Sequence, residues 1–78
     1  MLENTNIKKA RLLYILKLLY EKTDKDHPVT TNEILDYINS LGMTAERKTI
    51  KTDMSLLMEI GYKIVFMKSS PNRYYLEE

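Results

Sequence analysis

The stretch VTTNEILDYINSLG, residues 29 to 42, defines both ends of a helix and so constrains what surrounds it. Thr30 and Glu33 stand at the S/T-x-x-E spacing of a capping box. In that motif each side chain satisfies a backbone N–H that the first helical turn leaves without a partner. Val29 and Ile34 hold the two positions of a hydrophobic staple. Ile34, Leu35, Ile38 and Leu41 recur on one side and predict a buried stripe, and Gly42 supplies the left-handed residue that stops the helix. The reading is a short amphipathic helix over about residues 31–41.

Its neighbours follow from the same logic. Gly42, Met43 and Thr44 form a short glycine-bearing turn, after which a helix is expected over about 45–60. Thr44 would be its N-cap, Glu46 would sit favourably at the positive end of the dipole, and Gly61 would end it. Ile50, Met54 and Leu57 recur at i, i+4 and i+7 as its inward face. Upstream, Leu12, Ile15, Leu16 and Leu19 share a helical stripe, widened by Leu13 and Tyr20, within a helix over about 7–22 capped at Asn4, Thr5 or Asn6. TDKDHP reads as a polar loop, because Pro28 pushes His27 out of the helical region. Beyond Gly61 the apolar period changes to two. Tyr62, Ile64 and Phe66 share one face, Tyr74 and Leu76 share another, and SSPN lies between as a turn. The wing so formed spans about 62–77.

Two helices joined by a tight glycine-bearing turn and followed by a hairpin predict a mainly α fold with a small β element. That fold is a three-helix winged helix-turn-helix with a C-terminal two-stranded β-hairpin wing, with a short strand near Val29 as an optional addition. At 78 residues the chain is one domain over 1–78 and buries only about 60% of its unfolded surface. Twelve basic against eleven acidic residues exclude a polycationic coat, so any nucleic-acid surface must come from arrangement. No cysteine is present, which removes disulfides and thiolate chemistry and fits a reducing cytoplasm. Lys17 interrupts LLYILKLLY, and the run is well short of the ~20 apolar residues a spanning helix needs. A cytoplasmic protein without membrane association is expected. His27 stands alone and no nucleophile is placed with it. With two glycines in the chain no phosphate-cradling glycine loop exists. No enzyme, cofactor or metal site is expected.

The helix over about 45–60 carries the functional expectation. With Ile50, Met54 and Leu57 inward, an advance of about 100° per residue turns Lys48, Thr52 and Ser55 directly outward, Lys51 and Arg47 to one side and Thr49 to the other. The outward face is basic and hydroxyl-bearing over its first turns, and Glu59 comes only at the far end. A recognition helix needs that polarity: Arg and Lys donate to guanine acceptors in the major groove, and Thr offers a methyl to thymine. Taken alone, such a face is more often merely solvated. The turn and the wing shift the reading toward double-stranded DNA.

RLLYIL, HPVTTNEILDYINSLG, ERKTIKTDMSLL, EIGYKIVF and NRYYL together resemble the N-terminal winged-helix module of bacterial WYL-domain transcriptional regulators, and less closely the deoxyribose-repressor type. The likeness covers about residues 7 to 76, and its most specific part is RKTIKTDM. It implies sequence-specific DNA binding in transcription regulation, with Arg47, Lys48, Thr49, Lys51 and Thr52 at or near the groove. It also implies phosphate contacts near Lys8, Lys9 and Arg11, although a solvated helix end accounts for these equally. The likeness departs at the wing tip, where the family carries a Gly-rich segment ending in Gly-Tyr and this chain has SSPNRYYL. The family's C-terminal ligand-sensing domain has no counterpart here, so the chain is expected to be the DNA-binding piece of a longer regulator.

Among the remaining residues, Thr31 is free of the capping role and could meet a phosphate. Arg73 and, less so, Lys68 flank the wing tip and could follow the backbone or minor groove. Thus Arg47, Lys48, Lys51 and Thr52 are expected to read bases, with Thr49 and Ser55 beside them, and Thr31, Arg11, Arg73 and Lys68 to hold phosphates. Asp53, near the edge of the buried arc, is better read as bonded to backbone or a neighbouring cation. Tyr14 and Leu18, off the main stripe of the first helix, form a patch that a partner subunit or further domain could cover. Oligomeric state is left open, and a homodimer would need half-sites about 34–36 Å apart or a multiple of that. The rival reading is a winged helix used for protein–protein assembly, with no direct DNA readout.

Overall fold

The computed structural model describes residues 7–77, so the caps expected at Asn4 to Asn6 lie outside the described residues. The element order is α1 (Ile7–Lys22), β1 (Val29–Thr30), α2 (Thr31–Ser40), α3 (Arg47–Ile60), β2 (Ile64–Met67) and β3 (Arg73–Leu76). The fold is mainly helical with a small antiparallel sheet in the order β1-β3-β2.

That sheet has three strands: the expected two-stranded hairpin wing is joined by the short strand near Val29 that the sequence allows as an optional addition. Val29 pairs with Tyr74 and Thr30 with Arg73, so the hairpin gains a third strand on the β3 side. The cause is local. An N-cap residue must be extended, and Thr30 is so at φ −86° and ψ 165°. The same backbone that starts α2 therefore serves as a strand. The capping box is complete: the Glu33 N–H donates to Thr30 Oγ1 at 3.1 Å, and the Thr30 N–H donates to Glu33 Oε1 at 2.9 Å. Val29 and Ile34 of the staple are both buried.

The exit from α2 is a left-handed glycine turn. Gly42 has φ +88°, its N–H donates to Asn39 O at 3.0 Å, and the Met43 N–H donates to Ile38 O at 3.4 Å. This arrangement brings the residue after the glycine back onto the last helical turn. Met43 is accordingly buried, while Leu41, expected in the stripe, is turned outward. The linker also runs longer than expected, because α3 starts at Arg47 and not at Ala45. Glu46, extended at φ −118° and ψ 164°, is the N-cap and makes no side-chain capping bond, so Thr44 does not cap. With Met43 drawn into the core and Ala45 packed half-buried against it, residues 44–46 are spent returning the chain to the surface.

The inward face of α3 is as expected. Ile50 and Met54 are fully buried with Ile15, Leu19, Ile34 and Ile38, and Leu57 lies beside them. In α1 the seating differs from expectation. Leu18 is in the core and Tyr14 packs against it, so the Tyr14/Leu18 patch is not a free surface. Leu13 and Tyr20, expected to widen the buried stripe, are 67% and 48% exposed. A hydroxyl joins α1 to the sheet: Thr23 Oγ1 donates to Leu19 O at 2.6 Å and accepts the Leu76 N–H at 3.0 Å. In the hairpin Ile64 faces Leu76 and Phe66 faces Tyr74. Ile64, Tyr74 and Leu76 are buried, but Phe66 lies half out, its ring 5.3 Å from that of Tyr74.

Candidate nucleic-acid interface

α3 exposes the residues its spacing selects. Arg47, Lys48, Lys51, Thr52 and Ser55 are exposed and Thr49 is half-buried. The first turn of α3 holds Arg47 and Lys48 and no acidic residue, with the Glu46 carboxylate beside them at the N-cap. Thr52 Oγ1 donates to Lys48 O at 3.0 Å, which uses its proton locally and leaves its methyl and lone pairs for a partner.

The outward ridge of α3 is flanked by concave surface on both sides. On one side, a polar cleft of about 170 Å³ brings together Thr31 and Asn32 of α2, Arg47 and Lys51 of α3, and Ser69 to Asn72 of the hairpin turn. Beyond Lys51 it gives way to a shallower groove of about 380 Å³ between Met54, Ser55 and Met58 of α3 and Phe66 and Tyr74 of the sheet. On the other side, Lys8 of α1 faces Lys48, Thr49 and Thr52 across a depression of about 350 Å³. The hairpin turn is braced from within: the Ser69 N–H donates to Asn72 Oδ1 at 2.9 Å, and the Ser69 hydroxyl donates to Pro71 O. Ser70 is left as the turn hydroxyl facing the cleft.

Three expected phosphate ligands need restating. Arg11 is 9% exposed and directed inward. Its Nε donates to Asp53 Oδ2 and its terminal nitrogen to Asp53 Oδ1 at 3.1 Å. The bond to Asp53 outweighs burial and holds the guanidinium pKa above its ordinary value, so the ion stays charged. Arg11 is thus a tie between α1 and α3, corrected from a surface cation, and Lys8 is the α1 cation beside the α3 face. Thr31 is 4% exposed and can contribute only at the floor of the polar cleft. Arg73 is half-buried in the central strand, between Thr30 and Met67, and Lys68 is the exposed cation at the turn. Asp53 is bonded to a neighbouring cation, as its position on α3 implied.

Asn32 and Asn72 were not singled out in the sequence, and the cleft gathers both. Their only sequence signal is proximity, Asn32 to the α2 cap and Asn72 to the turn. Among the described residues no group of three or more His, Asp or Glu is placed to hold a metal ion. No described helix is long and apolar enough to cross a membrane. No protein-family model, curated protein or solved structure matched this chain when it was compared with them.

Proposed function

We propose that the chain is a winged helix-turn-helix module that binds double-stranded DNA sequence-specifically in transcription regulation, without enzymatic activity. α2 and α3 act as the helix-turn-helix pair, and β2 and β3, with β1 beside them, act as the wing. The observation that carries this reading is the α3 ridge of Arg47, Lys48, Lys51, Thr52 and Ser55 standing between two concave flanks. A helix entering the major groove, about 12 Å wide, needs room on either side for the two phosphate backbones. Lys8 would meet one backbone. Ser70, Thr31 and Lys68 would meet the other, on the side where Thr31 and Asn32 at the start of α2 line the polar cleft.

Within that pose Arg47, Lys48 and Lys51 reach base edges, and the Thr52 methyl meets thymine. The resemblance of RKTIKTDM to the recognition helix of WYL-domain regulators supports the same assignment. Selecting bound duplexes from a random pool and measuring affinity at two salt concentrations tests it. Lys48→Ala and Lys51→Ala should weaken binding with folding intact. A lost phosphate contact should flatten log K against log salt by about 0.9, and a lost base contact should relax specificity at that position. If neither substitution changes affinity, salt slope or specificity, the face is wrongly assigned.

A further inference from the structure

The polar cleft between α2, α3 and the hairpin turn is built mostly of hydrogen-bond donors. Arg47 and Lys51 stand at its rim, and neither is ion-paired with a described residue. No carboxylate lines it, and Glu33, the nearby acid of α2, accepts the Thr30 N–H. The turn consumes its own acceptors. Asn72 Oδ1 takes the Ser69 N–H and Pro71 O takes the Ser69 hydroxyl, which leaves the Asn72 amide donors and the Ser70 hydroxyl.

The floor carries the deciding group. Thr31 is 4% exposed, and its hydroxyl bonds to no described residue. Among the described residues no fully enclosed side-chain nitrogen or oxygen lacks a partner, so that hydroxyl opens onto the cleft it lines. A nearly buried hydroxyl beneath two unpaired cations suits a ligand that carries negative charge and only accepts hydrogen bonds. Thr31 also opens α2, where the dipole favours an anion.

We propose that the cleft is a site for one phosphate group. The Thr31 hydroxyl donates to it from the floor, the Ser70 hydroxyl from the turn, and Arg47 and Lys51 close over it from the rim. The group is supplied by a DNA backbone or by free phosphate, and the site itself needs no DNA. Its regulatory consequence rests on the DNA-binding reading. Arg47 and Lys51 are the cations which that reading sends to base edges, so free phosphate in the cleft holds them back and competes with the duplex. Lys48, on the opposite flank, is left untouched. An open site of this kind should hold inorganic phosphate with a dissociation constant on the order of 1 mM.

Amide resonances of the full chain, followed while sodium phosphate is added at pH 7.5 against sodium chloride of equal ionic strength, read the site directly. Phosphate should shift Thr31, Asn32, Ser70 and Asn72 saturably and leave Lys8 and Thr49 in place. Thr31→Val keeps the shape and removes the donor. It should weaken phosphate about tenfold with melting unchanged, and Thr31→Ser should restore binding. Ser70→Ala, in an exposed turn, should weaken it without touching the fold. Shifts that are absent, that chloride reproduces, or that survive both Thr31→Val and Ser70→Ala overturn the site. In the DNA arm, 10 mM phosphate should weaken duplex binding by about tenfold at constant ionic strength, and by only about twofold in Thr31→Val. Saturable shifts with duplex affinity unmoved overturn the competition. Saturable shifts with no duplex binding at all refute the DNA-binding reading and leave the site standing, and duplex binding without the shifts does the reverse.

Discussion

Removing one member of the Arg11–Asp53 pair should cost more than removing both. The two side chains are 11% and 6% exposed, and two hydrogen bonds join them. At about 3 Å and an effective dielectric near 20, their attraction is about 5 kcal/mol. Desolvation of the two ions opposes it with several kcal/mol each, so the pair contributes little net. Arg11→Met leaves the Asp53 carboxylate buried without its partner, and Asp53→Leu does the same to the guanidinium. Each should destabilise by about 3–5 kcal/mol. A 78-residue domain has roughly 4–12 kcal/mol in total, so either variant sits near the edge of folding. The double variant fills the same space with apolar atoms and should lie within about 1 kcal/mol of the parent. Urea unfolding followed by circular dichroism measures all four corners of the cycle. With a slope near 1.5 kcal/mol per molar, a single substitution moves the midpoint down by about 2 M or more. Single variants that lose less than about 1 kcal/mol, or a double variant that loses the sum of the two, would refute the account of a dry, mutually dependent pair.

Thr23→Val keeps the shape of Thr23 but removes the acceptor of the Leu76 N–H, and should cost about 1–3 kcal/mol by thermal melting. Thr30→Ala deletes the α2 cap and should cost about 1 kcal/mol, and Thr30→Ser should restore most of it. His27 Nδ1 and Asp24 Oδ1 lie 2.9 Å apart in the exposed loop after α1; the bond to Asp24 raises the His27 pKa above its ordinary 6.5, and the bond to His27 lowers that of Asp24 below its ordinary 3.8. The raised histidine contributes order that is complete below its unfolded pKa and fades as pH climbs through its folded one, while the lowered carboxyl contributes order present above its unfolded pKa and lost as pH falls through its folded one. The loop should therefore be best ordered in the mildly acidic range between those limits. A pH titration of the imidazole resonances should give a midpoint above that of Asp24→Asn, and equal midpoints would show the contact is absent in solution.

What the sequence made legible was whatever a few adjacent residues decide. Thr30, Glu33 and Gly42 act within one or two turns, so both ends of α2 were readable. The inward face of α3 followed from Ile50, Met54 and Leu57 because residues 47–53 are polar apart from Ile50, although Leu56 and Ile60 nearer its end are apolar and exposed. In contrast, α1 carries apolar residues on nearly every side, so periodicity could not decide between Leu13 and Leu18, and tertiary packing chose Leu18. The start of α3 was misread because TAER has good capping chemistry, whereas the actual start depends on Met43 being drawn into a core built by distant segments. Arg11 and Asp53 are 42 residues apart, and no local pattern couples them. The polar cleft is of the same kind. It exists only where the beginnings of two helices and a hairpin turn converge, and its asparagines carry no signal before that convergence.

The two residues of β1 lead directly into α2 while also hydrogen-bonding to β3. The hairpin is consequently tied, at the end of β3 next to its turn, to the strand that runs straight into α2. A duplex arriving at α3 would meet a socket already shaped, with little ordering left to do on contact. Affinity for the correct site should then depend on the fit of side chains, with hardly any contribution from segments folding as they bind.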